Sequence, residues 1–191
     1  MGYLTRDERR EEILQTAMRV ALAEGFSAMT VRRIASEAGV ATGQVHHHFT
    51  SGGELKSLAF IRLIRELLDA DVVGEHASWR ARLHAMLGSD DGRFEPYIRL
   101  WREAQILATR DAEIKGAYVL TMEMWHQETV ALIEAGRDAG VFRSGDPAAS
   151  IAWRLIGLVC GLDGIYLLNM PEMDDAAFNN HLDKLISLEL F

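Results

Sequence analysis

Residues 42–48 read Thr-Gly-Gln-Val-His-His-His and follow the apolar, glycine-ended run Ile34-Ala35-Ser36-Glu37-Ala38-Gly39-Val40 after a single residue, Ala41. If both stretches are short helices, Val45 packs inward and Thr42, Gln44, His46 and His47 face outward. These side chains can read base edges: a Gln amide pairs with adenine N6/N7, and a Thr methyl touches a thymine methyl. Three solvated imidazoles are the bland alternative. Convergence on a metal ion is disfavoured, because consecutive helical residues point about 100° apart. A second chemical spacing is Glu123-x-x-His126, used by di-iron helical bundles, but it occurs once where such a site needs two copies. No Gly-rich phosphate loop, Gly-x-Ser-x-Gly elbow or His-Glu-x-x-His motif is present.

The elements that position these residues are all helical by periodicity. Thr5 with Glu8 forms a capping-box pattern ahead of the stripe Ile13, Ala17, Val20 and Ala21, and Gly25 ends that helix. Thr30 caps a short helix that stops at Gly39, and a second short helix spans Thr42–His48. Two short helices joined by a tight Gly-containing turn predict a helix-turn-helix. Ser51 with Glu54 makes another capping box, opening a helix to about Val73 with Gly74 beyond it. Further helices are expected near 78–87, 95–108, 111–139, 148–168 and 174–188, with Asp146-Pro147 as N-cap and N1 of the fourth and a Ser-Asp-Asp-Gly loop at 89–92. The reading is all-α: a three-helix head over residues 1–52 and a larger helical domain over 53–191, with 53–73 as the linking helix.

The composition supports a folded protein. Of 191 residues, 49% are hydrophobic and 25% charged, enough apolar surface for a core. A single cysteine, Cys160, excludes an internal disulfide framework and fits a reducing, cytoplasmic setting. The first twenty residues carry four acidic groups, and the strongly apolar stretch Leu155–Leu162 falls short of the roughly 20 residues a span requires, so a soluble protein is expected. The net charge of −8 is unevenly spread. Residues 1–66 hold nine Lys/Arg against eight Asp/Glu, whereas residues 67–191 hold eleven against twenty. Only the first region could tolerate a polyanion.

The stretch from Gly25-Phe26 through Thr30, Ile34-Ala35, Ala38-Gly39-Val40, Gly43 and Phe49 to Ser51 and Glu54-Leu55 resembles the TetR family of one-component bacterial regulators. The resemblance covers about the first 60 residues and implies a helix-turn-helix head on a helical domain that senses a small molecule and dimerises. It implies double-stranded DNA as a partner, read by Thr42, Gln44, His46 and His47, with Thr30, Arg32, Arg33 and His48 placed for phosphates. The chain departs from the family pattern at Ala41, where Ser usually caps the recognition helix, and at Gln44-Val45, in place of Thr-Leu. It departs again at His46, where Tyr is commonest, and at Gly52-Gly53, in place of a Lys-acidic pair. Lys56, one turn on, is the substitute cation.

Residues 150–168 look like the Asp-Gly-containing helix of the BetI-like C-terminal type. That helix is apolar nearly all round and needs partners on two sides. Ile151, Leu155, Leu158 and Leu162, with Phe178, Leu182 and Leu185 of the last helix, are therefore expected at a twofold four-helix interface, with a purely intramolecular core as the alternative. Trp101, Gln105, Tyr118, Met122, Trp125, His126 and Tyr166 are candidates for an effector pocket suited to a planar, apolar or cationic molecule, against the alternative that they are core. Asp163 inside its apolar helix needs a partner, structural or ligand. No cofactor, metal or membrane is implied. The expected function is a homodimeric, ligand-responsive regulator that leaves a near-palindromic operator when a small molecule binds. The competing readings are a family member acting through protein contacts without DNA and a helical-bundle metal enzyme.

Overall fold

The computed structural model of the chain describes residues 5–70, 72–74, 76–88 and 92–191, and no strand occurs among them. The helices are α1 Arg6–Glu24, α2 Val31–Glu37, α3 Thr42–His48, α4 Gly52–Leu68, α5 Trp79–Leu87, α6 Glu95–Leu107, α7 Ala112–Asp138, α8 Ala148–Tyr166 and α9 Asp175–Leu190, with a 3₁₀ turn at Phe26–Ala28. Residues 89–91 of the expected Ser-Asp-Asp-Gly loop lie outside the described residues.

Local chemistry sets most helix ends. The Thr5 hydroxyl accepts from the Glu8 N–H, and the Glu8 carboxylate returns to the Thr5 N–H at 2.7 Å, a complete capping box. Gly25 ends α1 at φ +81°, a region that favours glycine. Asp111 Oδ1 accepts from the N–H groups of Glu113 and Ile114 at the start of α7, and Asp174 Oδ1 from that of Ala177 in α9.

Three ends differ from expectation. Ser51 Oγ does cap Glu54 N–H at 2.8 Å, but the Glu54 carboxylate turns to Thr50 N–H and Oγ, both at 2.6 Å, so the box is not closed on Ser51. Helix α4 stops at Leu68 with Asp69 as its cap, short of Val73. Asp69 competes for backbone groups and the β-branched pair Val72-Val73 propagates a helix poorly, whereas the preceding leucines do neither. Asp146 does not cap α8. Its carboxylate is drawn to Arg154 at 2.8 Å, and Pro147 occupies the cap position with no side-chain bond.

The chain divides into two compact units. One comprises Met1–Asp69 and Gly92–Met122, the other Ala70–Asp91 and Glu123–Phe191. The first is cut differently from the expected boundary after residue 52, because its hydrophobic core is shared by α1, α4, α6 and the start of α7. Ile13, Ala17 and Ala21 of α1, Leu55, Ala59 and Phe60 of α4, Leu100 and Ala104 of α6, and Ile114 and Ala117 of α7 are all buried in it. Phe60 lies at its centre, with ring centroids 5.6 Å from Phe26 and 6.1 Å from Trp101.

In the second unit α8 and α9 pack on each other and on α5. Arg80 of α5 reaches the Asp183 carbonyl at 2.9 Å and Ser187 Oγ at 2.7 Å. Arg154 ties α8 to Glu189 of α9 through two nitrogen–oxygen contacts. After α7 the chain folds back so that the Phe142 ring lies against Gly136, where an added Cβ would meet the ring at 2.2 Å. Among the described residues α8 alone has the length and apolar character of a membrane span. Its inner residues Ile151, Leu155, Ile156 and Val159 are buried, as in the central helix of a helical domain.

Candidate nucleic-acid interface and effector residues

The reading helix is held by its neighbours. Thr30 Oγ1 accepts from Arg33 N–H at 3.1 Å and starts α2. Ala38 closes α2, Gly39 follows at φ +65°, and Val40 N–H returns to Ala35 O at 2.9 Å, making the tight turn into α3. Ala41 is extended and offers no side-chain cap, as its methyl group requires. Val45 and Phe49 are buried beside Ile34 and Ala35. The packing leaves Thr42, Gln44, His46 and His47 exposed, so the four expected base readers lie on the solvent side of α3.

The expected phosphate contacts fare unequally. Arg32 is exposed, and Thr30 is exposed with its hydroxyl used as a cap. Arg33, expected at a phosphate, is ion-paired on the protein itself. Its guanidinium holds Glu37 at 2.5 Å and Glu24 at 2.8 Å, and these carboxylates raise its pKa and brace α2 against the end of α1. The i,i+4 spacing to Glu37 was legible, but the approach of Glu24 needed the fold. Lys56 is half-buried on α4.

The sequence reading missed the cations of α1. The Arg10 guanidinium lies 4.7 Å from the Phe49 ring centroid and 3.9 Å from Glu54, at the carboxyl end of α3. His48 beside it is half-buried, with Nδ1 buried and, among the described residues, without a hydrogen-bond partner. Burial first, then the charges of His47, Arg6, Arg10 and Arg9, holds its imidazole below the usual histidine range. The unfolded chain therefore binds the proton more readily, so His48 favours the fold above the ordinary imidazole pKa and opposes it as pH falls through the lowered one. Thermal unfolding of the free protein is expected to move to lower temperature between about pH 7 and 5. His48→Asn should flatten that part of the profile; an unchanged profile would remove His48 as its source.

The eight candidate effector residues divide between the units. Trp101 and Tyr118 are 5.0 Å apart between centroids, packed on the core that contains Phe60, and with them Gln105 (exposed) and Met122 (half-buried) belong to the first unit. In the second, Trp125 Nε1–H donates to Met86 O at 3.1 Å. His126 stacks on Trp153 at 4.2 Å and pairs through Nε2 with Ala149 O at 3.0 Å. Asp163 and Tyr166 are half-buried near the end of α8. His126 is thus engaged with α8, and among the described residues no group of three His, Cys, Asp or Glu is placed to hold a metal. Burial, and next the Asp163 charge, pushes the Cys160 thiol up, away from the reactive thiolate.

Residues 13–55, from α1 into α4, match the family described as bacterial regulatory proteins, tetR family. The chain is 29% identical over 162 residues to the HTH-type transcriptional repressor KstR2 of Mycobacterium tuberculosis, covering 78% of this chain and 76% of that protein. It is also similar to the crystal structure of a transcriptional regulator from Saccharomonospora viridis in complex with choline, with TM-score 0.72, 26% identity, and 96% and 98% of the two chains covered. Residues 13–55 thus carry the tetR-family head, and the chain is similar over most of its length to regulators of transcription. A TetR-family regulator from Rhodococcus sp. shares the fold with TM-score 0.76 at 23% identity, over 97% of this chain and 100% of that one. The matched head and the repressor relative make the chain similar to DNA-binding regulators of transcription.

The structure places the seven expected dimer residues unequally. Ile151, Leu155, Leu162 and Leu182 are buried in their own unit, and Leu158, Phe178 and Leu185 are half-buried, with the Phe178 ring 3.0 Å from where a Cβ on Gly88 would stand. A helix apolar on all sides does not announce which side faces its own core. The outward side of α8 is instead Trp153, Gly157, Gly161 and Ile165, with Gly164 and Leu168 next to it. Among the described residues, nothing stands within 4 Å of a Cβ built on Gly157, Gly161 or Gly164.

Proposed function

We propose that this protein is a homodimeric TetR-family repressor that works in the cytoplasm and leaves its operator when a small molecule binds. The observation that carries the reading is the solvent-facing row Thr42, Gln44, His46 and His47 on a helix whose other side is locked by Val45 and Phe49. Two such helices about one DNA turn apart would meet a near-palindromic site. KstR2 is itself named a repressor, which supports the sign of regulation. The dimer uses the outer side of α8, where three open glycines let a second helix approach closely and Trp153 and Ile165 supply apolar area. The choline complex supports a small effector. Such an effector shifts the equilibrium only by the difference in its affinity for the two states.

The test is selection of bound fragments from a random DNA pool by purified protein, then a salt titration of the best site. A twofold-symmetric site with a steep salt slope supports the reading. Failure to enrich any sequence, with only weak low-salt binding, favours a member that acts through protein contacts. Gln44→Ala is expected to relax base preference at one position per half-site by about 1–3 kcal/mol. A loss spread evenly over all sequences would make Gln44 a backbone contact instead.

A further inference from the structure

Gly53 lies in the first turn of α4, four residues after Phe49, which closes the reading helix. A Cβ built there would stand 1.4 Å from Glu113 Oε2 and 2.6 Å from its Cδ. The carboxylate of Glu113, in the first turn of α7, therefore rests directly on this glycine. Ser51 Oγ–H donates to its two oxygens at 3.0 and 3.4 Å, while the same hydroxyl accepts from Glu54 N–H at 2.8 Å. One serine thus joins the start of α4 to α7. The first turn of a 17-residue helix carries N–H groups that lack intrahelical partners and a partial positive charge, to which an anion is drawn. Glycine at 53 is what admits the carboxylate; any side chain would displace it.

We propose that Glu113 is an intrachain latch that holds the start of α4 to α7 and weakens DNA binding by keeping a negative charge beside the segment that follows the reading helix. The proposal rests on the reading of this chain as a DNA-binding protein. Helix α7 continues from the first unit into the second, so the latch attaches the DNA-reading head to the helix that leads out of it. Release of Glu113 raises affinity for any duplex, because the repulsion acts on phosphates and carries no sequence information.

The experiment measures binding of a mixed-sequence 30-base-pair duplex across a salt series for the wild type, Glu113→Gln, Gly53→Ala and the double variant. Glu123→Gln, elsewhere on α7 and exposed, controls for net charge. Glu113→Gln is expected to bind about 3–10-fold more tightly at low salt. Gly53→Ala, which keeps the charge but expels the carboxylate, should gain part of this, and the double variant no more than Glu113→Gln alone. Amide exchange at residues 52–55 should quicken several-fold in Glu113→Gln. A gain no larger than that of Glu123→Gln overturns the proposal, as does unchanged exchange. If the wild type binds no duplex at any salt, the DNA-binding reading fails, and the exchange measurement still decides whether the latch exists.

Discussion

Replacing Phe60 with alanine is expected to cost about 3–5 kcal/mol of stability, among the largest effects of any single truncation in the first unit. Phe60 is fully buried, its ring meets Phe26 edge-on, and Trp101 covers it from α6. Deleting the ring removes the transfer free energy of a large apolar group and leaves a cavity bounded by helices that cannot all close on it. Against a total of about 5–15 kcal/mol for a typical domain, this is a large share. Because Phe60 is on α4 and Phe26 follows α1, DNA binding should fail with the fold. Denaturant unfolding followed by circular dichroism checks the value, with Phe60→Leu as a milder comparison. A loss below about 1.5 kcal/mol would mean that the aromatic series from Phe26 to Tyr118 packs loosely enough to refill the space.

Gly161→Arg is expected to leave each protomer folded and to abolish the dimer. The position is exposed with open space around it, and arginine is the better helix former by up to about 1 kcal/mol. In the proposed interface the same change places a guanidinium between two closely approaching helices without a partner. Affinity for DNA with two half-sites should fall by about 10²–10⁴-fold, the advantage of linking two binding events. Leu182→Arg makes the contrast. It would test a dimer contact if Leu182 faced a partner, but Leu182 is fully buried within its own unit, so that variant should unfold the second unit. Light scattering and circular dichroism on both variants separate the cases. A Gly161→Arg protein that remains dimeric at low micromolar concentration places the interface elsewhere.

Local rules carried much of this protein. The capping pair Thr5–Glu8, the stop at Gly25, the Thr30 cap, the turn at Gly39 and the limits of α3 at Thr42 and His48 each depend on residues within a few positions of one another, and the structure places them where that chemistry puts them. The outward direction of Gln44 follows as locally, from the inward pull of Val45 and Phe49, one and five residues away.

What only the tertiary structure decided are the meetings between residues far apart in the chain. Arg33 reads from the sequence as a phosphate contact, and the fold brings Glu24 from the end of α1 to pair with it. Gly52-Gly53 reads as the loss of a lysine until Glu113, some sixty residues on, occupies the room. Helix α8 is apolar nearly all round, so periodicity offered Leu155 and Leu162 to a partner or to their own core, and the structure buries them in their own unit with the glycines facing out. Periodicity records that a face is apolar; which apolar face meets which is set by packing of whole helices, where the energy of many small contacts is decided at once.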